Sequence, residues 1–197
     1  MKGRIIFLLE EPSMKILLDD LLPRLFPGLE VQVHFQCVPH EGKADLDKSI
    51  PKKLKAWREP DVRFVVVRDN DSADCVALKR RIEGVCVEAG RPETLIRLVC
   101  QELESWYIGD LGALEAAFPR CRMDTPALRK KFSDPDSWQK PSNELSRLIP
   151  SFQKLSGARL MASNLRGENN RSRSFCVFLD GLRRIVAEMG YVYEGGG

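Results

Sequence analysis

Six carboxylates fall in three short runs of this 197-residue chain. They are Glu10 and Glu11, then Asp69 and Asp71 in Arg68-Asp69-Asn70-Asp71, then Glu102 and Glu104 around Leu103. Like charges brought close together cannot all stay ionised without a counter-charge. Hard oxygen donors converging from several loops suit Mg²⁺ or Mn²⁺, each ion taking one or two carboxylates with water and phosphate oxygens. Asp69 and Asp71, two apart across a turn, can aim at one ion, and Glu10 can hold an ion or move a proton. Each run also has a structural explanation. Asp71 or Ser72 can cap a following helix, and Glu102 and Glu104 can complement a helix dipole.

The runs matter together only if the fold gathers them. Ile5 to Leu9 is continuously apolar and reads as a buried strand. A helix follows Pro12-Ser13, with Ser13 as N-cap, and ends at Pro27-Gly28. Val31 to Phe35 alternates as a second strand, residues 36–50 read as loop, and Lys52 to Trp57 as a short helix. Val62 to Val67 is a strand apolar on both faces. A helix over residues 73–89 stops at Gly90-Arg91-Pro92. Thr94 to Cys100 is the next strand, and Glu102 to Ala117 is helical with a break near Gly109. Strands apolar throughout, alternating with amphipathic helices, predict an α/β fold whose mainly parallel central sheet is flanked by helices. Residues 119–190 carry helical patterns, Leu145 to Leu155 and Phe175 to Met189, and no strand. They read as a basic helical elaboration packed on the 1–118 core, with 191–197 a mobile tail. In a parallel sheet all three acidic runs emerge at one edge.

Charge is divided in the same way. The chain is +3 overall, from 31 basic and 28 acidic residues. Residues 1–118 hold 17 basic and 20 acidic residues, and 119–197 hold 14 and 8. An acidic site with a basic flank suits a phosphodiester substrate. In the flank, Lys154, Arg171 and Arg173 are the candidates to meet phosphate. No apolar run approaches a membrane span or a secretory signal, so a cytoplasmic protein is expected. The six cysteines form no CxxC and read as free thiols. His34, Cys37 and His40 have metal-like spacing but no fourth ligand. Trp106 and Tyr107 read as packing residues, and Trp138 as a surface contact. No GxGxxG or GxxxxGK[ST] is present, so dinucleotide binding and a built-in P-loop are unsupported. Neither a Gly-x-Ser-x-Gly elbow nor a wider set of histidines supports a covalent hydrolase.

The stretches LLEEPSMKILLDDLLPRL (8–25), FVVVRDNDSADCVALK (64–79) and IRLVCQELESWYIGDLGAL (96–114) resemble the bacterial domain-of-unknown-function family 4276. FQKLSGARLMA (152–162) and NRSRSFCVFLDGL (170–182) are similar more weakly. That family is related to the Toprim domain of topoisomerases, primases and nucleases of the overcoming-lysogenization-defect type. The resemblance implies a Toprim-like sheet, phosphodiester chemistry and a divalent-metal site, beside a partner ATPase in bacterial phage defence. By position, Glu10 matches the Toprim glutamate, Asp69 and Asp71 its Asp-x-Asp pair, and Glu104 the acid of a Glu-x-Trp segment. Glu11 departs from the glycine that usually follows the glutamate. Glycine there permits positive φ and close approach to phosphate.

Three functions are weighed. One is a metal-dependent nuclease, with two ions ~3.5–4 Å apart clamping the attacking and leaving oxygens. Asp69, Asp71 and Glu104 would hold the ions, Glu10 would hold an ion or activate water, and Lys154, Arg171 and Arg173 would meet the substrate. The second is a non-catalytic interaction subunit, which the Glu11 departure favours. The third is a phosphatase or phosphotransfer enzyme on a small phosphate ester. DNA against RNA, and the oligomeric state, are not legible in the sequence.

Overall fold

The computed structural model describes residues 3–191, so most of the expected 191–197 tail lies outside it; Tyr191 is described, and its hydroxyl donates to the Gly3 carbonyl. Four parallel strands form one sheet: β1 (Ile5–Leu9), β2 (Phe35–Pro39), β3 (Arg63–Asp69) and β4 (Leu95–Val99). Their order is β2-β1-β3-β4. The continuous apolar runs follow from burial on both faces. Side chains alternate along a strand. Ile5, Phe7 and Leu9 therefore enter one core with Val65 and Val67, while Ile6 and Leu8 enter another with Phe64 and Val66.

The smaller core is closed by α2 (Lys43–Ala56) and α3 (Cys75–Glu88). The larger is closed by α1 (Pro12–Leu25) and by the helices that follow β4. These are α4 (Glu104–Ile108), α5 (Leu111–Ala117), α6 (Pro126–Lys131), α7 (Pro141–Leu148), α8 (Lys154–Asn164) and α9 (Arg173–Glu188). Met161 and Phe178 pack in the same cluster as Phe7 and Leu17, so the basic helical segment shares the core of one sheet face. The fold is α/β, a parallel sheet flanked by helices, as the sequence predicts.

Several local expectations are corrected. The second strand lies at 35–39 instead of 31–35. Residues 30–34 form a turn in which Glu30 C=O accepts from the His34 N–H and His34 Nδ1 accepts from the Glu30 N–H. The 36–50 stretch read as loop contains β2 and most of α2, because Leu46, Ile50 and Leu54 place one apolar side chain per turn on the sheet. Lysines and Pro51 hide that stripe. Pro12 opens α1 behind Glu11, and Ser13 sits inside the helix with its hydroxyl donating to the Glu11 carboxylate. The expected 145–155 helix is two, α7 and α8, separated around Pro150. Trp138 is half-buried, its ring against Phe132 at 5.1 Å. Trp106 and Tyr107 are fully buried. All six cysteines are free, with Cys37 and Cys86 buried.

Candidate metal centre

Strand order decides where the carboxylates meet. The chain leaves β1 for β2 on one side, then crosses to β3 on the other. The crevice between the carboxyl ends of β1 and β3 is thus the switch point where open α/β sheets bind ligands. Leu9 is level with Val67, so Glu10 emerges beside the end of β3. Its backbone N–H donates to Val67 C=O at 3.2 Å, and its Oε2 accepts from the Asp69 N–H at 3.0 Å. Asp69 is level with Val99, the last residue of β4. The four residues after Val99 turn the chain back into α4, whose first residue is Glu104.

Glu10, Asp69 and Glu104 are all buried. Burial raises the Glu10 carboxyl to about 7; the Asp69 amide and Arg68 oppose the rise, and the charges of Asp71 and Glu11 add to it. Burial likewise raises Glu104 to about 7, with Lys154 opposing and Glu11 and Glu102 adding. Asp69 is pushed well above the carboxylate range by burial and then by Glu10, Glu11 and Glu104. Asp69 thus feels both of the other two, and the charge of Glu11 acts on all three. Two cations stand among them: Arg68, buried, with its Nε 3.8 Å from Glu10 Oε2, and Lys154, at the start of α8. Burial works against its charge, but Glu11, Glu104 and Asp69 outweigh it and hold the ammonium protonated. Its Nζ donates to Glu11 Oε2 at 2.9 Å.

Asp69 Oδ1 and Glu104 Oε2 are buried acceptors with no hydrogen-bond partner among the described residues. Buried polar atoms are ordinarily satisfied. Two orphaned carboxylate oxygens in one acidic crevice are the donor chemistry of a hard divalent cation. Among the described residues, no three acidic, histidine or cysteine side chains surround a common point at coordination distance. Glu10 Oε2 is engaged by the Asp69 amide, so loading an ion requires side chains to re-aim. Tyr107 Oη is also buried and unpartnered there, and its hydroxyl is raised by burial and by Glu104, Glu11 and Asp69.

The other candidates stand further out. Asp71 pairs with Lys43 Nζ at 2.9 Å on the rim and acts on Glu10 through its charge. It does not cap α3; Asp74 does, accepting from the Ala77 N–H at 2.7 Å. Glu102 binds the start of α7, accepting from Ser142 N–H at 3.0 Å and Lys140 Nζ at 3.1 Å. Arg171 lines a separate pocket with Arg129 and Arg166, which pair with Asp124 and Asp110 of the same lining, and its backbone N–H donates to Gly109 C=O at 2.9 Å. Gly109 is needed there, since a Cβ would lie 2.0 Å from Asn170 Oδ1. Arg173 lines a groove beside β4. Of the three expected phosphate cations, Lys154 alone is set among the buried acids. His40 is held by its Nδ1, 2.8 Å from Leu9 C=O, and His34 by the Glu30 turn, and among the described residues His34, Cys37 and His40 form no group that could hold a metal ion.

Sequence reasoning missed the residues that hold the loops. Asp71, Ser72 and Gln101 all have positive φ, of 47°, 64° and 65°. Such backbone costs of order 1–3 kcal/mol per residue and collects at functional sites. Asn70 Oδ1 accepts from the Gln101 N–H at 2.6 Å, and Gln101 Oε1 accepts from the Ser72 N–H at 2.7 Å. Asn-Asp-Ser after a strand is a turn signal that tolerates this region; Gln101 carries none. Glu11, where glycine was expected, has φ −144°, so its backbone there needs no glycine.

The sequence has no match among curated proteins. The structure is similar to the C-terminal region of the OLD protein of Xanthomonas campestris pv. campestris, with a TM-score of 0.55 at 16% identity over 96% of this chain and 98% of that one. At that identity the likeness is one of fold. The sequence model of a domain of unknown function, DUF4276, matches residues 9–183, nearly the whole described chain. The chain therefore belongs to the DUF4276 family.

Proposed function

We propose that the protein is a divalent-metal-dependent nuclease with a Toprim-like site, hydrolysing phosphodiesters of DNA or RNA. The observation that carries this reading is the switch-point crevice in which Glu10, Asp69 and Glu104 are buried together, two of their oxygens unpartnered. The fold shared with the OLD C-terminal region and the Toprim resemblance of the same residues support it. Asp69 and Glu104 would hold Mg²⁺ or Mn²⁺, with Glu10 and Asp71 completing the set. When bound, the metal neutralises phosphate charge and lowers the pKa of a coordinated water. Where Glu10 is left free of the ion, it would instead accept a proton from water. Lys154 presents a fixed positive charge to the phosphate. Arg171, with Arg129 and Arg166, would contact the backbone further along. A partner ATPase and a role in phage defence belong to the same reading, through the family resemblance of these residues.

The test is Mg²⁺- or Mn²⁺-dependent cleavage of DNA and RNA, transfer RNA included, by wild type and Asp69→Ala. Cleavage that survives the substitution removes the site. Turnover of nucleotides but not polynucleotides would assign the crevice to a small phosphate ester instead. No helix of the described residues is long and apolar enough to cross a membrane.

A further inference from the structure

The sheet ends at β4, whose outer side carries no strand among the described residues. An edge strand offers a row of backbone groups to any extended chain and is normally blunted or covered. Here α3 and α9 rise on either side of it and leave a groove of about 660 Å³. Ile96 and Leu98 lie along its floor. Val76 on α3 and Val177 on α9 face it from opposite walls, 58% and 43% exposed, among the most exposed large apolar residues described.

The edge already shows a demand for a donor. Arg97 Nη1 donates to the carbonyl of its neighbour Ile96 at 3.0 Å, while its Nε donates to Val177 C=O at 3.0 Å. The guanidinium can lie there only because Gly181 has no Cβ; one built at that position would sit 2.2 Å from Arg97 Nη2. One edge carbonyl is therefore satisfied by a side chain where a neighbouring strand would supply an N–H.

Charge selects the occupant. Lys79, Arg80, Arg97 and Arg173 line the groove against Glu83 and Asp136. Glu83 is paired with Lys79 at 3.7 Å, and Asp136 accepts from Ser172 Oγ at 2.7 Å and Ser174 N–H at 2.7 Å. Arg80 and Arg173 are exposed and form no ion pair among the described residues. A second copy of this chain would bring those cations against their own kind. A nucleic acid would leave Val76 and Val177 against phosphate and sugar.

We propose that this groove docks an extended, acidic segment of a partner protein, which adds to the sheet beside β4. Backbone pairing gives affinity, and alternate side chains meet the two walls, so apolar residues seat on Val76 and Val177 and acidic ones on Arg80 and Arg173. The site is separate from the switch-point crevice and does not depend on the nuclease reading.

The test uses a fluorescein-labelled peptide of about ten residues alternating valine and glutamate, followed by anisotropy. Controls replace central valines with proline, or the glutamates with lysine. Saturable binding is expected for the acidic peptide only, weakened at least about tenfold by Val76→Asp with Val177→Asp and by Arg80→Glu, with backbone amide shifts confined to residues 95–99 and their neighbours. Both valines are exposed, and unchanged circular dichroism and melting confirm folding of the variants. Failure of the acidic peptide to bind, equal binding of the proline peptide, or indifference to the valine substitutions overturns the proposal. So does a concentration-dependent dimer abolished by those substitutions, or binding of single-stranded DNA at this face in place of the peptide.

Discussion

Lys154 Nζ donates to Glu11 Oε2 at 2.9 Å across 143 positions of sequence, joining the turn after β1 to the first residue of α8. This pair sets how much positive charge the crevice can offer a phosphate. Lys154→Ala should lower cleavage by about 10²–10³ while Mg²⁺ binding, measured by calorimetry, is kept or tightened, because a cation has left the ion's neighbourhood. Glu11→Gln should act in the opposite direction on substrate: with Lys154 released, KM for a polynucleotide falls about fivefold and kcat changes little.

Asp69 is the most confined acid. Asp69→Asn keeps its shape and removes a buried charge that three other carboxylates oppose. The metal-free variant should melt above wild type at alkaline pH, where ionisation of Asp69 is opposed, by roughly 2–4 °C per kcal/mol gained. Mg²⁺ should then no longer raise its melting temperature, and cleavage should be lost. A variant that melts lower and still responds to Mg²⁺ would show that Asp69 is neither crowded by charge nor a ligand.

The pH dependence follows in sign from Glu10 and Glu104. Both carboxyls stand at about 7 in the folded chain against an ordinary value of 4.5. A raised acid binds its proton more tightly when folded. Its contribution to stability is complete below about pH 4.5 and is lost as pH rises through about 7. Metal-free protein should therefore lose melting temperature across that window, and millimolar Mg²⁺ should flatten the loss by replacing the protons. A flat metal-free profile would mean that these carboxylates are hydrated.

Asp110 tests the corner that positions α4. Its side chain is 1% exposed, caps α5 by accepting from the Ala113 N–H at 3.0 Å, and binds Arg166 through two guanidinium nitrogens. Asp110→Ala should cost about 2 kcal/mol, a drop of about 4–8 °C in thermal melting. Arg166→Ala should cost less, because that side chain is 59% exposed.

Much of this was legible because burial on both faces writes itself as unbroken apolar runs. Ile5 to Leu9 and Phe64 to Val67 announce the two central strands, and the acids that follow them lie at the switch point by topology alone. The edge strand β2 and helix α2 were harder. They bury single residues at wide spacing, Phe35 with Cys37 and Leu46 with Ile50 and Leu54, among lysines and prolines that resemble a loop. In the crevice, the sequence grouped Glu10, Asp69, Asp71 and Glu104 as ligands, the last by family resemblance, while charge alone did not separate Glu104 from Glu102. Only the fold shows that Glu102 is spent on Ser142 and Lys140. Charge alone grouped Lys154, Arg171 and Arg173, and charge carries no information about direction. The Asn70–Gln101 exchange depends on two loops meeting in space, which no local pattern records.

The larger core draws Phe7 from β1 and Phe178 from α9 into one cluster. A chain synthesised only as far as Phe118 already contains Glu10, Asp69, Asp71 and Glu104. It lacks α6 to α9, so α1, α4 and α5 cover the Phe7 face of the sheet alone, the side of α1 that packs on α8 is uncovered, and the acids lose part of their shelter from water. Their perturbed proton affinities and their counter-cation Lys154 arrive together, when the last helices close. The electrostatic character of the crevice belongs to the finished chain, and a nascent one passes through synthesis without it.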